Sequence, residues 1–593
     1  MQRRGVRLQG LAGRAALLAV ATSLLVASTS AAASSVAVFP LSGSRLASPH
    51  TTVSFRGVSA ANLGPITVTG SQSGVHTGHV TGHSDGNGVS FVADKAFTPN
   101  ETVTVATGLN IVGGSRGVYR FSIVNQAGHL PNRPFPPSAR VHGDVMWFHS
   151  RKDIEPAAIK ITRRSSRTAP GDIFIGPQYG PVQNGPTVLD PSGNLIWFKA
   201  VPKYNFATDV RVQSLDGQPV LTWWQGYFGA GVGSGVGVIN DTHYHTIGIV
   251  HAGNFIPFDL HEFKILPGGT ALITGVYPVY WDASSIHHTR HAIVFDGVVQ
   301  IIDIKTGMVE YEWHSLDHVP LSDSYRAFPN SNGAPFDYFH INSVDQDTDG
   351  NLIVSGRSTS AVYKIDRQSG AIIWRLGGRH STFKAGSGAT MAFQHDVRVQ
   401  SAGDSRITAF DNGAGLYNVH SQSRGVILHL DLAHKTVTKL GEFDHSPRLL
   451  SGFEGNVQPL PNGDSFIGWG EQPYFSEFNF RGQLLFDARF VDTNTSYRAY
   501  RFPWVGAPQT DPAVAASTSG GRTTVYVSWN GSTQVASWRV LAGATPTTLA
   551  TAGSARRSGF ETAIRVAGAK DVAVQALDGH GNVLGQSPTV QPR

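Results

Sequence analysis

The sequence predicts an all-β protein, a six-bladed β-propeller flanked by N-terminal and C-terminal β-sandwich modules of immunoglobulin or fibronectin type. Three observations predict it. Of 593 residues, 67 are Gly and 32 are Pro, a density of turn formers that suits short strands and argues against a helical bundle, a coiled coil or a disordered chain. Apolar and polar residues alternate with period two in short runs at both ends of the chain. Through the middle, a turn followed by an apolar strand recurs six times.

Taken in order, residues 1–33 read as a signal peptide. Arg3, Arg4 and Arg7 form a charged start, Ala15 to Ala27 is apolar, and Ala31-Ala32-Ala33 offers a small-residue cleavage site. That run is shorter than the roughly 20 residues a membrane helix needs, and no later stretch is long and apolar enough. No membrane span is expected, and the mature chain is placed outside the cytoplasm, extracellular or at the cell surface. Arg3-Arg4 leaves both the general and the twin-arginine export routes open. Residues 34–130, with alternating Thr51-Thr52-Val53-Ser54-Phe55 and Thr102-Val103-Thr104-Val105, predict the first sandwich. Pro131, Pro134, Pro136 and Pro137 mark a linker.

The propeller is expected over 140–507. Its repeat is marked by Gly193, His243, Gly307, Gly370, His434 and Gly482, with a mean step of about 58 residues, room for four short strands per unit. Thr524-Val525-Tyr526-Val527-Ser528-Trp529 and Val572-Ala573-Val574-Gln575-Ala576 place the second sandwich in 508–593.

Charge and cysteine content exclude several functions. The chain has 47 basic and 41 acidic residues, but Arg3, Arg4, Arg7 and Arg14 precede Ala33, leaving 43 basic residues against the 41 acidic ones. A nucleic-acid partner finds no support in that balance. The absence of Cys excludes disulfides, thiolate metal sites, iron–sulfur clusters and a cysteine nucleophile.

A second feature of the repeat gathers chemistry. His261, His340, His395 and Gly455 each open a strand that runs to a glycine turn, at Gly269, Gly350, Gly403 and Gly463. Blades around an axis would bring these positions to one mouth of the central channel, whatever their separation in sequence. Reflection about each turn pairs His340 with Arg357, His395 with Asp411, Gly455 with Glu471 and His261 with Tyr277. The expected mouth holds three His, an Arg, a Tyr and two carboxylates.

Several of these segments are familiar. Phe339-His340-Ile341-Asn342-Ser343, Ile353-Val354-Ser355-Gly356-Arg357-Ser358, Tyr363-Lys364-Ile365, Gln394-His395-Asp396, Phe410-Asp411-Asn412-Gly413 and Tyr500-Arg501-Phe502-Pro503-Trp504 resemble the bacterial aryl sulfotransferase family. The likeness covers roughly 170–507 and is most specific in His-x-Asn-Ser followed by Ser-x-Arg. It implies a propeller of exported proteins that moves a sulfuryl group from one phenol to another without a nucleotide sulfate donor, with a small-molecule aryl sulfate and a phenol as partners and no cofactor or metal. It implies that His395 is the transiently sulfated nucleophile, that His340, Asn342 and Arg357 hold the sulfuryl oxygens, and that His261 is a further essential histidine. Imidazole suits nucleophilic catalysis near neutral pH, and Arg and imidazole donors suit the charge on the transferring group. Asp411 or Asp396 is expected to orient the nucleophilic ring through its other nitrogen, on the reflection alone. Lacking Cys, the chain cannot form the disulfide associated with the better-studied branch, so the likeness is to a divergent one.

Other features read as structure. His243, His245, His287, His288 and His291 match no ligand spacing. Asp345, Asp347, Asp349 and Gly350 match the start of a calcium loop, but Gly356 stands where position 12 needs Glu, which excludes a helix–loop–helix calcium hand and leaves a strand-linking calcium site or an acidic hairpin turn. Trp223, Trp224, Trp281, Trp374 and Trp469 sit where tryptophans seal blades or stack on an aromatic substrate. The rival function is an extracellular binding or adhesion protein whose propeller mouth holds a ligand. A quinone-dependent dehydrogenase ranks last, for want of a repeated tryptophan docking motif.

Overall fold

The computed structural model describes residues 35–128, 130, 139–181, 183–229, 231–331, 333–400 and 405–593. The expected signal peptide, the linker prolines and Gly403 lie outside the described residues. Among the described residues, three short 3-10 turns, at Ala60–Asn62, Ser315–Asp317 and Leu321–Asp323, stand between regular elements that are otherwise strands.

Six antiparallel sheets built on four strands each occupy the middle of the chain. Blade 1 runs Phe206–Leu215, Gln218–Gly229, Val232–Asn240 and Thr246–Val250, and blade 2 runs Phe258–Leu266, Thr270–Trp281, Ala292–Asp303 and Val309–His314. Blade 3 is Ile341–Gln346, Leu352–Gly356, Ala361–Ile365 and Ile372–Gly377. Blade 4 is His395–Val399, Arg406–Asp411, Arg424–Asp431 and Thr436–Asp444, with the short Lys384–Ala385 added in parallel at its edge. Blade 5 is Asn456–Pro459, Ser465–Gly468, Tyr474–Phe478 and Leu484–Phe490, extended by Ile159–Arg163. Blade 6 takes its first strand, Thr495–Phe502, from late in the chain and the other three, Asp172–Gln178, Thr187–Leu189 and Leu195–Phe198, from before blade 1.

The first strand of every blade contacts the first strand of the next, and the cycle closes from blade 6 back to blade 1. These six inner strands line a common axis, the arrangement of a propeller. The six repeat markers all fall between the third and fourth strands of their blades. Four are glycines at φ between +72° and +81° (Gly193, Gly307, Gly370, Gly482), and where His243 and His434 stand, the left-handed residue is the next one, Tyr244 or Lys435. A tight hairpin between twisted strands demands that conformation.

Blades adhere through buried apolar faces. Trp223, Trp224, Trp374 and Trp469 are all buried; Trp224 donates to the Phe258 carbonyl of blade 2 (3.1 Å). Two further pairs of sheets flank the ring. Strands between Ala37 and Ser122 form two four-stranded sheets around Val38, Val53, Phe55, Val89, Val105 and Phe121. They abut the outer strand of blade 2, where Ser54 Oγ donates to the Val309 carbonyl (2.6 Å). Strands between Ala513 and Gln586 form a three-stranded and a four-stranded sheet around Val525, Val527, Trp538, Val540 and Val574. Asn530 Nδ2 and Tyr244 Oη tie this pair to blades 6 and 1, donating to the carbonyls of Phe198 (2.9 Å) and Gly531 (2.8 Å). Among the described residues no helix is long and apolar enough to cross a membrane.

Candidate active site

In an antiparallel hairpin the start of the first strand and the end of the second lie at the same end. In the propeller that end of every blade faces one mouth. A cavity of about 440 Å³ opens there, lined by His261, His340, His395, Arg357, Glu454 and Tyr497, with Tyr179, Phe228 and Phe453 giving it an aromatic wall and Arg326 and Asp337 at its side. The backbone around it is unusual. The inner strands of blades 1 to 4 each carry a register shift, and His340, Phe393, Asp396 and Glu454 hold φ between +51° and +64°. A non-glycine residue in that region costs about 1–3 kcal/mol, which the surrounding packing must offset. The shifts break strict alternation, and so His395 and Asp396, neighbours in one strand, serve different centres.

His395 is buried and doubly anchored. Its Nδ1 lies 2.7 Å from Asn412 Oδ1 and 3.2 Å from the Phe393 carbonyl. Asn412 spends its amide hydrogens on the carbonyls of Ser451 and Glu454 (3.0 Å each), so its oxygen faces the ring. Two acceptors at Nδ1 place the ring proton there and leave a lone pair on Nε2. That lone pair accepts the Glu454 N–H at 3.1 Å. Burial, and then the nearby Arg357 charge, hold the imidazole well below its usual 6.5, so the ring is neutral at physiological pH.

The other two histidines are held at the same nitrogen, but by a charged acceptor. A carboxylate sits at Nδ1 of each, Asp259 for His261 and Asp337 for His340 (2.5 Å). Asp259 is itself fixed by the Gly233 N–H (2.7 Å). The rings meet edge to face with centroids 5.1 Å apart, and among the described residues neither Nε2 has a hydrogen-bond partner. Burial lowers the His340 pKa, with Asp337 opposing; an anion in the cavity would favour the imidazolium, with Asp337 sharing its charge. Arg357 donates to the Gly452 carbonyl (2.7 Å), while its buried Nε has no partner among the described residues. Burial lowers its pKa to about 10, against the pull of Asp337 and Glu471, so it stays a cation at neutral pH. A guanidinium that lines a cavity and keeps its charge there suits an anion.

The structure brings His261, His340, Arg357 and His395 together and places the other expected residues elsewhere. Asn342 is fully buried outside the cavity lining; its Nδ2 donates to the Gln394 carbonyl (2.6 Å), beside His395 rather than in the pocket. Asp396 binds Arg398 (2.7 Å) and Arg498 (3.2 Å) and accepts the Val457 N–H (3.2 Å), and does not orient His395. Asp411 binds Arg424 and the Ala392 N–H (2.9 Å each). His395 faces Phe410 across the hairpin, one residue short of the reflection, because the strand shifts register between His395 and Arg398; the next residue on, Asn412, is the one that reaches the ring. Tyr277 is buried in blade 2 opposite Asp296, away from the pocket. There the turn is centred on Gly268 and the strand shifts between Phe258 and Phe263, so the reflection about Gly269 overshoots. Glu471 acts indirectly: it accepts the Gly452 N–H (2.6 Å), holding the loop whose carbonyl takes Arg357.

Five functional residues escaped the sequence: Asp259, Asp337, Asn412, Glu454 and Tyr497. The first two carry a local signal, a carboxylate two or three residues before a marked histidine. Tyr497 donates to the carbonyls of Asn342 (3.1 Å) and His261 (3.3 Å). Beside it, Arg498, Arg398 and Arg211 interlock with Asp209, Glu262 and Asp396, three cations against three carboxylates, so the buried lattice below the pocket is neutral.

The acidic turn is satisfied by lysines. Asp347 and Asp349 bind Lys364 (2.7 and 2.8 Å), and Asp345 binds Lys264. Among the described residues no group of three or more His, Asp or Glu is arranged to hold a metal ion.

Three histidines and an arginine thus surround an axial, aromatic-walled cavity. The family model for arylsulfotransferase (ASST) matches residues 211–491, from the inner strand of blade 1 through the last strand of blade 5, and this match supports the aryl sulfotransferase family. No curated protein matches it. Among solved structures it is similar to a protein of unknown function from Bacteroides caccae (12% identity, 56% of this chain and 98% of that one, TM-score 0.34). It is also similar to the periplasmic gluconolactonase PpgL of Pseudomonas aeruginosa (12%, 71% and 96%, TM-score 0.31). The ring of inner strands, not these likenesses, defines the fold.

Proposed function

We propose that this protein is an exported sulfotransferase that moves a sulfuryl group from an aryl sulfate to a phenolic acceptor through His395, without a nucleotide sulfate donor. The observation that carries the proposal is the His395 ring at the cavity, with Asn412 Oδ1 at Nδ1 and the Glu454 N–H at Nε2. In the first half-reaction Nε2 displaces the Glu454 N–H and attacks sulfur, the N–S bond forms, and the bond from sulfur to the aryl oxygen breaks. In the second, the acceptor phenol oxygen attacks sulfur and the electron pair returns to Nε2. Arg357, with its unpartnered Nε, and the imidazoles of His340 and His261 meet the charge on the sulfuryl oxygens. Tyr179, Phe228 and Phe453 suit a flat aromatic ring. Export is supported by the charged and apolar start of the sequence. We infer three modules after the signal: sandwiches at 34–130 and 508–593, and the propeller at 140–507 between them.

The test is release of nitrophenolate from 4-nitrophenyl sulfate, with and without phenol, by the wild-type protein and by His395→Ala. Phenol-stimulated release and sulfate labelling of the protein, both lost in the variant, are expected. No release across a panel of aryl sulfates by folded protein would favour an extracellular binding protein.

A further inference from the structure

We propose that Glu454 is the proton carrier of this transfer, giving a proton to the departing aryl oxygen in the first half-reaction and taking one from the incoming phenol in the second. The inference rests on the sulfuryl-transfer reading above.

Two carboxyl groups line the cavity, Asp337 and Glu454. Asp337 is committed to His340, whereas Glu454 has no cationic partner among the described residues. Its Oε1 accepts Gln178 Nε2 (2.7 Å), and its Oε2, on a residue only 6% exposed, has no partner among the described residues. Gln178 Oε1 also lacks a donor. With the carboxyl ionised, two buried acceptors, Glu454 Oε2 and Gln178 Oε1, lack a donor, and a proton on Oε2 makes one of them a donor. The same residue donates its backbone N–H to His395 Nε2, and its carbonyl accepts Asn412 Nδ2, so the acid and the nucleophile share one frame. That frame is stiff: a Cβ at the adjoining Gly455 (φ +101°) would lie 2.4 Å from the Phe410 ring, so the loop has no room to shift. Burial raises the carboxyl pKa to about 8, with Gln178 opposing and Glu471 reinforcing, so the acid form is present at neutral pH.

The steps balance. As the N–S bond forms and the bond to the aryl oxygen breaks, that oxygen keeps the electron pair and takes the Glu454 proton, leaving a carboxylate. When the acceptor attacks, its hydroxyl proton passes to the carboxylate and the pair in the N–S bond returns to His395, restoring both groups.

Glu454→Gln keeps the shape and the acceptor for Gln178 but carries no transferable proton. With 4-nitrophenyl sulfate, whose leaving group needs no proton, a few-fold loss is expected. With phenyl sulfate the loss is expected to be about 100- to 1,000-fold, so that rate falls more steeply with leaving-group basicity in the variant. Equal losses with both donors would overturn the inference while leaving sulfuryl transfer intact; no transfer by the wild type would overturn the underlying reading instead. The wild type gives an answer without substitution: a normal solvent deuterium isotope effect on the first half-reaction with phenyl sulfate that fades with 4-nitrophenyl sulfate is expected, and its absence with phenyl sulfate counts against Glu454 as carrier.

Discussion

His395 and Asn412 are joined by a 2.7 Å hydrogen bond that settles which nitrogen of the ring carries the proton. The asparagine cannot turn, because its amide hydrogens are held by two carbonyls of the 451–454 loop. Asn412→Ala frees the ring to adopt the other tautomer and leaves the Glu454 carbonyl without its donor, while the Ser451 carbonyl keeps Ser423 Oγ at 3.3 Å. A fall of about 100-fold in kcat with little change in KM is expected, with about 1–3 kcal/mol of stability lost for each orphaned buried group. Steady-state kinetics and denaturant unfolding on the same preparation check both.

Arg357 acts on the substrate and on the nucleophile. As the neutral ring attacks, the first half-reaction rises with pH through the depressed pKa of His395 and is level by neutral pH. The Arg357 charge is the second cause of that depression, after burial. Arg357→Met should therefore move the acidic limb to higher pH and raise KM about 10- to 100-fold, the worth of a charged hydrogen bond. A pH profile of nitrophenolate release reads both.

Asp337 at Nδ1 opposes the loss of a second proton that burial imposes on His340, and Asp259 fixes the His261 ring. Asp337→Asn and Asp259→Asn are each expected to lower kcat/KM about 10- to 100-fold. For Asp337→Asn the loss should deepen as pH rises, because without the carboxylate the His340 ring gives up its proton sooner. Losses independent of pH would mean that the carboxylates only position the rings.

His314 offers a stability test remote from the pocket. Burial opposes its charge, but Asp296 (2.6 Å) and Glu312 (3.1 Å) outweigh it and raise its pKa to about 10. With the folded value above the unfolded one, the stabilisation is complete below about 6.5 and is lost as pH rises through about 10. The melting temperature should fall over that interval. His314→Gln should flatten the fall and cost about 3–5 kcal/mol near neutral pH by stranding two buried carboxylates.

How far the site was legible follows the regularity of the strands. The pairing of His340 with Arg357 was readable although that strand also slips, between Ile341 and Ser343, because the slip puts the end pair Ile341–Gly356 on the midpoint of the turn at 347–350, and the Arg357 N–H donates to the His340 carbonyl at 3.0 Å. The same reflection failed for His261 and His395 because their strands slip register, and a slip of one residue exchanges Asp411 for Asn412. Glu454 could not be found by period at all: it stands in a loop at φ +64°, next to the one marked position that carries glycine instead of histidine. The marker turns were visible because a left-handed residue leaves a compositional trace. A carboxylate held by a buried amide leaves none.

Blade 6 joins a strand that ends at Phe502 to one that begins at Asp172, and Gln178 from the earlier strand grips Glu454 while Tyr497 from the later one supports His261 and Asn342. The pocket is thus completed late, and of the described sheets only the pair between Ala513 and Gln586 follows it in the chain. During synthesis, a polypeptide that has not yet delivered its final inner strand carries His261, His340 and His395 but has no closed ring to seat them in. Assembly of the pocket is written into the order of the strands.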